Sequence, residues 1–435
     1  LHREESYRGL SQTERSIRLK IWWTNYIFDK EMCFRWGHSP VINDDDVSAP
    51  PLPGTEAFWS FNERNSVKTR GRMVYEIQAM LDGLTESENF IDLDLYINVD
   101  YAFIISDVYR TLFSANSIRK KSAENILATR DSLFKDLDMW RNTLPLKLRP
   151  QHQYSQEFRE EFTALKNDIS PSSIYWVIMI SSYNIRYHHL RMIIGRTTSH
   201  FLCELENKDP DLRMNPSHLK FGLESARAVM EMACMVDSRF GNYANYLIFY
   251  PFNAFLTICA YYIYKCDSDD DLVKADLELL MNSVIHYFNP FSDDAKRSEK
   301  GWLFSAVVKC MLYITIQSIK DRGNEVNYSK EFLSQCDKIF DPIKAFLAHN
   351  IKIDDLVLTV RNKMRLLDVS KRNVATLPVN FKSSAQFSSP YQGSIGSPQS
   401  GDFLAGSILN DGRIPQQQQQ QTHIERESAP LPVNI

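Results

Sequence analysis

The sequence predicts an all-α fold: a large multi-helix domain over residues 1–370, then a disordered Ser/Pro/Gln-rich tail over residues 371–435. Three observations predict it. Glycine supplies only 15 of 435 residues, too few for an architecture of strands and tight turns or for glycine-rich phosphate loops. Apolar residues recur at intervals of three and four through most of the first 370 positions, the period of a helix face. Past Ser370 the chain turns to Ser, Pro, Gly, Asn and Gln, with Ser388-Ser389-Pro390, Ser397-Pro398 and the polyglutamine run Gln416 to Gln421. Such a stretch buries too little apolar area to offset its ordering entropy. Within it, Phe403-Leu404 and Ile408-Leu409 offer short apolar contact points.

The elements follow in order. Ser11 and Glu14 form an S-x-x-E capping box, in which each side chain satisfies an orphan N–H at a helix start. The helix carries Ile17, Ile21, Trp22 and Phe28 near one stripe and stops at Gly37, a left-handed terminator. Pro40 blocks re-entry, and the chain leaves through Asp44-Asp45-Asp46 and Pro50, Pro51 and Pro53 as a stiff acidic loop. Helical patterns recur at 72–84 and at 100–116, where Ala102, Ile105, Val108, Tyr109 and Leu112 share a face. The next pattern, 122–144, has Leu133, Leu137 and Trp140 on a broad stripe and is closed by Pro145 and Pro150. Ser172 or Ser173 caps a helix toward Gly195, and a small-residue helix covers 218–236 with Ala226, Ala228 and Ala233. An apolar helix spans 247–264, and further patterns lie near 271–288, 299–320, 329–347 and 353–368.

Bulk properties narrow the function. Length alone allows roughly two to three domains. The hydrophobic share of 43% builds a sizeable core, and 12% aromatics suit large packed helices. A net charge of −4 and a pI near 6.2 advertise no nucleic-acid surface. Lys120-Lys121 and Arg372 are too few for a DNA footprint. The seven cysteines, Cys33, Cys203, Cys234, Cys259, Cys266, Cys310 and Cys336, are odd in number and scattered through apolar patterns. They read as reduced, buried thiols, and no pair has the C-x-x-C spacing of a zinc cluster. The stretch 247–264 approaches membrane-span length, but Pro251, Asn253 and Thr257 and the lack of a basic flank make it a buried core helix.

Catalytic constellations are weak. Asp44-Asp45-Asp46 and the cluster Asp267, Asp269, Asp270 and Asp271 invite comparison with a magnesium–diphosphate site of all-helical terpenoid enzymes. Neither cluster sits inside a strong helix pattern, so both read as solvated loop charges. His188-His189 point about a hundred degrees apart on a helix and cannot chelate one ion well. They read as one packed and one surface histidine, and His200 is too distant to join them. Signatures of the H-E-x-x-H, G-x-S-x-G, G-x-x-x-x-G-K and G-x-G-x-x-G types are absent. The aromatic runs Trp22-Trp23-Tyr26-Phe28 and Tyr261-Tyr262-Tyr264 read as core, with room for a pocket between helices.

One block carries a resemblance. Leu1-His2, the basic Arg15, Arg18 and Lys20, Trp22-Trp23, Asp29, the turn from Gly37 to Pro40 and the acidic exit Asp45-Asp46 stand in a recognisable order. Trp140 to Leu144-Pro145 adds a W-x-x-x-L-P stop, and Tyr187 to Arg196 a tyrosine-histidine-leucine-arginine helix. Together they resemble the fungal-specific transcription factor domain, or middle homology region, of binuclear zinc-cluster transcription factors, from Leu1 to about Pro290. The chain departs from that pattern in having His38 after the glycine, fewer arginines before the tryptophans, and Thr197 after Arg196. The resemblance implies Trp22, Trp23, Asp29, Gly37, Pro40, Asp46, Trp140 and Pro145 as structural motif residues. It further implies a nuclear regulator of RNA polymerase II transcription with no catalytic residues and no cofactor in this chain. Zinc and DNA would belong to an N-terminal cysteine cluster preceding Leu1, so the chain reads as an N-terminally truncated piece. Expected partners are the transcription machinery, a small-molecule effector and a second copy of the chain. The readings from other classes are a terpenoid-type enzyme and a helical scaffold.

Overall fold

The structure, a computed structural model, describes residues 1–50, 52, 74, 77–81, 87–114, 117, 122–208, 221–236, 247–264, 270–288, 299–322, 332, 334–336 and 338–340. The chain divides into two units, Leu1–Ala375 and Thr376–Ile435, and every described residue lies in the first. The tail expected at 371–435 and the helix expected at 353–368 lie outside the described residues.

All regular structure among the described residues is helical, as the sequence predicts. A short 3₁₀ turn, Glu4–Tyr7, precedes α1, Gln12–Trp36, and a second, Asp44–Asp46, follows it. Next come α2 (Ser87–Val108), which widens into a π turn at Tyr109–Phe113, α3 (Ala123–Thr143) and α4 (Gln156–Asn167). The long α5 (Pro171–Lys208) leads to α6 (Phe221–Met235), α7 (Phe249–Tyr264), α8 (Asp270–Ser283) with a π turn at Val284–Phe288, and α9 (Glu299–Lys320).

Local chemistry sets the boundaries. The Ser11–Glu14 capping box is present in both directions: Glu14 N–H donates to Ser11 Oγ at 3.3 Å and Ser11 N–H to Glu14 Oε2 at 3.1 Å. Ser122 and Ser155 cap α3 and α4, accepting from the amides of Asn125 and Phe158. α5 corrects its expected start. Its cap is Ser170, whose Oγ accepts from Ser173 N–H at 3.3 Å, and Pro171 takes the first helical position. α5 also runs straight through Gly195 to Lys208. α2 begins at Ser87 rather than Asp100, because Asn98 and Asp100 break the apolar count yet are buried. α4 has no counterpart in the expected elements. It buries chiefly Phe162, a sparse signal among charged residues.

The core is centred on α5. It packs most extensively on α6 and also meets α2, α3, α4 and α7. Tyr183, Tyr187, Leu190 and Ile194 of α5 join Leu137 and Trp140 of α3, Ala226 and Met230 of α6, and Phe255 and Ile258 of α7 in one apolar cluster. Each such large side chain contributes about 1.5–3 kcal/mol by leaving water. Close approach of α5 and α6 needs a small residue at Gly222, where a Cβ would lie 3.3 Å from the Met192 carbonyl oxygen. Arg227 of α6 grips Asp276 of α8 in two bonds, at 2.6 and 2.8 Å, and Tyr262 of α7 donates to the same carboxylate at 2.5 Å. α7 is buried as expected, and no described helix is long and apolar enough to cross a membrane. The described cysteines, Cys33, Cys234, Cys259, Cys310 and Cys336, are free thiols.

A second, smaller cluster lies apart from the first. It joins Tyr7, Leu19, Trp23, Tyr26 and Leu52 to Val99, Ala102 and Phe103 of α2. Here the expected stripe of α1 is corrected. Ile17 is 54% exposed and Phe28 59%, and Ile21 is exposed with them. The buried face is Leu19, Trp23, Tyr26 and Lys30, spaced at four, three and four. Apolarity alone misplaces the face, because Tyr26 and Lys30 bury long stems while their polar tips find partners below the surface.

Candidate functional site

The small cluster is built by α1 and the chain that returns across it. Gly37 sits at φ 69° and ψ 24°, the left-handed region. This lets Gly37 N–H reach Phe34 O at 3.4 Å and His38 N–H reach Cys33 O at 2.8 Å, a Schellman stop. The chain reverses past Pro40 and is caught by Asp29. Its carboxylate accepts from the amides of Val41 at 3.0 Å and Ile42 at 3.1 Å. One turn beyond Tyr26, the ammonium of Lys30 donates to Ile42 O at 2.6 Å and pairs with Asp44 at 2.8 Å. Tyr26 donates to the same Asp44 oxygen at 2.8 Å, and Ser106 of α2 donates to the other. Lys30 is 1% exposed, so Asp44 supplies the counter-charge that its burial demands. Asn43 caps the Asp44–Asp46 turn, accepting from Asp45 N–H at 3.3 Å.

The tryptophans divide their work. Trp23 is buried and donates through its indole N–H to Pro50 O at 3.0 Å, pinning the proline exit to α1. Trp22 is half-buried and its ring tilts against His2 at 6.0 Å. The first residues join the same corner: Ser48 N–H donates to His2 O at 2.9 Å, and Tyr7 donates to Leu1 O at 2.6 Å. α1 and α2 run in the same direction, with Lys20 meeting Asp92 near the start of α2 and Asp44 joining Lys30 to Ser106 near its end.

The structure therefore gathers Trp22, Trp23, Asp29, Gly37 and Pro40 around one corner. Asp46 lies at its exposed edge, where Asn43 donates to it at 3.3 Å. Asp44, the residue bonded to three side chains, was read from sequence only as a loop charge. Trp140 and Pro145 stand elsewhere, at the end of α3. Trp140 donates to Ile97 O at 3.3 Å and packs against Tyr101 and Tyr183, and Pro145 accepts from Leu148 N–H at 2.9 Å in the turn that ends the helix.

Behind the corner lies a polar junction that sequence reasoning missed. Glu31 of α1 is buried between two guanidiniums, Arg35 at 3.0 Å and Arg186 of α5 at 3.1 Å. Arg35 also donates to the Tyr250 hydroxyl of α7 at 2.7 Å and lies over its ring at 4.6 Å. Arg186 donates to Asn98 of α2, and Tyr101 donates to the Arg186 carbonyl at 2.9 Å. Nearby, Tyr183 donates to Asp94 at 2.8 Å, and burial pushes that carboxyl up against the pull of Arg186. Four helices thus meet through charged-group hydrogen bonds. The only sequence signal was a set of charged residues at core-facing positions, which reads as noise in an apolar count.

The histidine pair is also corrected: both rings are buried, and neither is at the surface. His188 Nε2–H donates to Gln151 O at 2.7 Å, its ring packs on Tyr154 and Tyr187, and burial lowers its pKa to about 3. His189 packs instead among Phe34, Phe249 and Tyr250, and burial drives its pKa well below 6.5. Their partners differ throughout, which accords with their divergence on the helix. No cluster of three or more His, Cys, Asp or Glu suited to a metal ion occurs among the described residues.

The fold and this corner define a class first: an all-α domain whose first helix and acidic exit form a compact, hydrogen-bonded signature. Residues 1–142, about a third of the chain, match the model of the fungal specific transcription factor domain. The matched span ends just past Trp140, so it takes in the signature corner and almost all of α3. An ABC-transporter-regulating transcription factor of Aspergillus fumigatus is 24% identical over 340 residues, 76% of this chain and 34% of that protein. A protein of the same description in Aspergillus oryzae is 25% identical over 315 residues, 70% of this chain and 31% of its own length. Transcription factor TAC1 of Candida albicans is 50% identical over 48 residues, 11% of this chain and 5% of that protein. The matches to the Aspergillus proteins thus span about a third of their length. No solved structure matches the chain. These comparisons support a coarse class, a fungal transcription regulator.

Proposed function

We propose that this chain is the regulatory region of a fungal zinc-cluster transcription factor acting in the nucleus on RNA polymerase II transcription. The observation that carries the reading is the match of residues 1–142 to the fungal specific transcription factor domain, over the stretch in which Asp29, Lys30 and Asp44 organise the corner. Relatives named as transcription factors support it, and two of them are named as regulators of ABC transporters. Transporter genes are therefore the first targets to examine. In this reading zinc and DNA are bound by a cysteine cluster outside these 435 residues. The helices receive a signal, from a small molecule or a second copy of the chain, and pass it to the transcription machinery. Membership of a transcription-factor domain family implies a non-enzyme, and the comparisons do not favour the terpenoid-type alternative.

The test is a reporter assay with residues 1–435 fused to a neutral DNA-binding domain. The expected result is reporter output that departs from that of the DNA-binding domain alone, upward or downward. Output indistinguishable from that control, from a fusion shown to be folded and nuclear, overturns the reading.

A further inference from the structure

The end of α3 and the turn beyond it gather guanidinium groups. Arg141, in the last turn of α3, donates to Pro150 O at 2.6 Å and to Asn142 Oδ1 at 3.2 Å. Arg149 donates to Leu144 O at 2.9 and 3.0 Å and to Asn142 O at 3.2 Å. These acceptors are neutral, so they fix the two side chains without cancelling their charge. Arg191 of α5 completes the group, resting over the Phe134 ring at 4.6 Å. Tyr187 is the hub. Its hydroxyl donates to Asp138 at 2.5 Å, the Arg141 guanidinium lies 6.0 Å from its ring, and the His152 ring packs on it at the same distance. Residues 122–208, which supply every group named here, are described without a gap.

Charge is unbalanced on this face. The charged groups that act on both Tyr187 and His152 are two guanidiniums, Arg141 and Arg191, and one carboxylate, Asp138. Asp138 already accepts from Tyr187, and Arg191 stands 3.6 Å from it, beyond a hydrogen bond. Arg149, tied to the same connector, adds a third positive charge. An apolar side chain stands in the same turn: Leu146 is 77% exposed, and its carbonyl accepts from Arg149 N–H at 3.3 Å. Next to it, Lys147 lies 3.7 Å over the Trp176 ring, which pins the turn to the start of α5. From Arg191 to Leu146 the strip follows the last turns of α3, about 10–15 Å. About four residues of extended chain cover that length.

We propose that this strip, Arg191, Arg141, Arg149 and Leu146, docks an acidic peptide segment of a partner protein that carries bulky apolar side chains. Guanidiniums take carboxylates in charge-assisted pairs, and those already held by backbone carbonyls lose little freedom on binding. Leu146 takes an apolar side chain of the same segment. A duplex would offer nothing to Leu146, and three guanidiniums with a carboxylate among them would neutralise few phosphates. As the contact through which a regulatory region meets its partner, the strip rests on the transcriptional reading. Its test needs no transcription, so the two ideas fail separately.

The experiment titrates the full chain into a fluorescein-labelled peptide of Asp and Glu interspersed with Leu and Phe, read by fluorescence anisotropy. A counterpart with Asn and Gln in place of Asp and Glu is run in parallel. The acidic peptide is expected to bind saturably and to weaken as salt rises, with the uncharged counterpart at least about tenfold weaker. Leu146→Asp, a change at an exposed position, is expected to weaken the acidic peptide at least about tenfold. Arg141→Gln, whose amide can still donate to Pro150 O, is expected to weaken it about fivefold. Ile17→Asp, the same charge change at an exposed residue of α1, is expected to keep the wild-type affinity. Four results overturn the proposal: no saturable binding of the acidic peptide, equal binding of its uncharged counterpart, wild-type affinity in Leu146→Asp or Arg141→Gln, or displacement by random duplex DNA as readily as by unlabelled peptide. The last would make the strip a phosphate surface.

Discussion

At the scale of the residue, Asp44 and Asp46 separate sharply although they sit two positions apart in one acidic run. Asp44 answers a lysine that has left water, and accepts from Tyr26 and Ser106 as well. Asp46 is exposed, and its bond comes from Asn43. Asp44→Ala leaves a buried ammonium with Ile42 O and the longer Asp29 pairing at 4.0 Å, and is expected to cost about 2–3 kcal/mol in urea unfolding. Asp46→Ala is expected to stay within about 0.5 kcal/mol, as a surface change. Equal costs for the two would show that the corner does not depend on the Lys30–Asp44 pair. His188 contributes to the pH dependence, and His189, whose pKa burial also lowers, adds to it in the same direction. The ordinary His188 pKa of 6.5 falls to about 3 in the fold, so the native state refuses a proton that the unfolded chain accepts. Its contribution is therefore fully present above pH 6.5 and drains away as pH falls toward about 3. Between pH 7 and pH 5 the loss is on the order of 2 kcal/mol. His188→Gln, which can keep a donor toward Gln151 O, is expected to reduce the slope of urea midpoint against pH over that range, with the His189 share remaining. An unchanged slope would place the acid sensitivity elsewhere.

At the scale of the element, α1 is the clearest case of a helix whose ends are written in its sequence and whose face is not. The capping box and Gly37 announce start and stop, because each acts through its own backbone within a few residues. Gly37→Ala forces a side chain into φ 69° and is expected to cost about 1 kcal/mol by urea unfolding. A neutral or stabilising outcome would mean that the Schellman stop is not under conformational demand. The buried face was misread because Ile17, Ile21 and Phe28 outweigh Tyr26 and Lys30 in any apolar count. What buries Lys30 is a carboxylate fourteen residues ahead, a contact made only after the chain reverses. The same reasoning explains α2, where Asn98 serves Arg186, and α4, whose few apolar residues join the main core cluster and pack toward α5. Asp29 was legible as a motif position, but its task of catching two amides of the returning chain was not. The helical class was legible because helix periodicity is local. The Glu31 junction was not, because it joins four helices that are distant in sequence.

At the scale of the whole molecule, several cations among the described residues are held by internal carboxylates. Arg35, Arg186 and Lys30 are bound to Glu31 and Asp44, and Arg227 to Asp276. A buried guanidinium that already holds a carboxylate cannot also neutralise a phosphate, and replacing its partner would leave that carboxylate uncompensated. A chain with 50 basic and 54 acidic residues has no net positive charge with which to release counterions from a duplex. Nucleic-acid affinity is mostly such release, so residues 1–435 alone are expected to give no sequence-specific band in a gel shift on promoter DNA. Any smear at low salt should vanish uniformly across sequences as salt rises. A band that survives competitor DNA, and whose strength falls steeply and linearly with the logarithm of salt, would require a phosphate-binding surface within these residues. That result would place DNA recognition in the helical chain itself and overturn the proposal that a separate cysteine cluster supplies it.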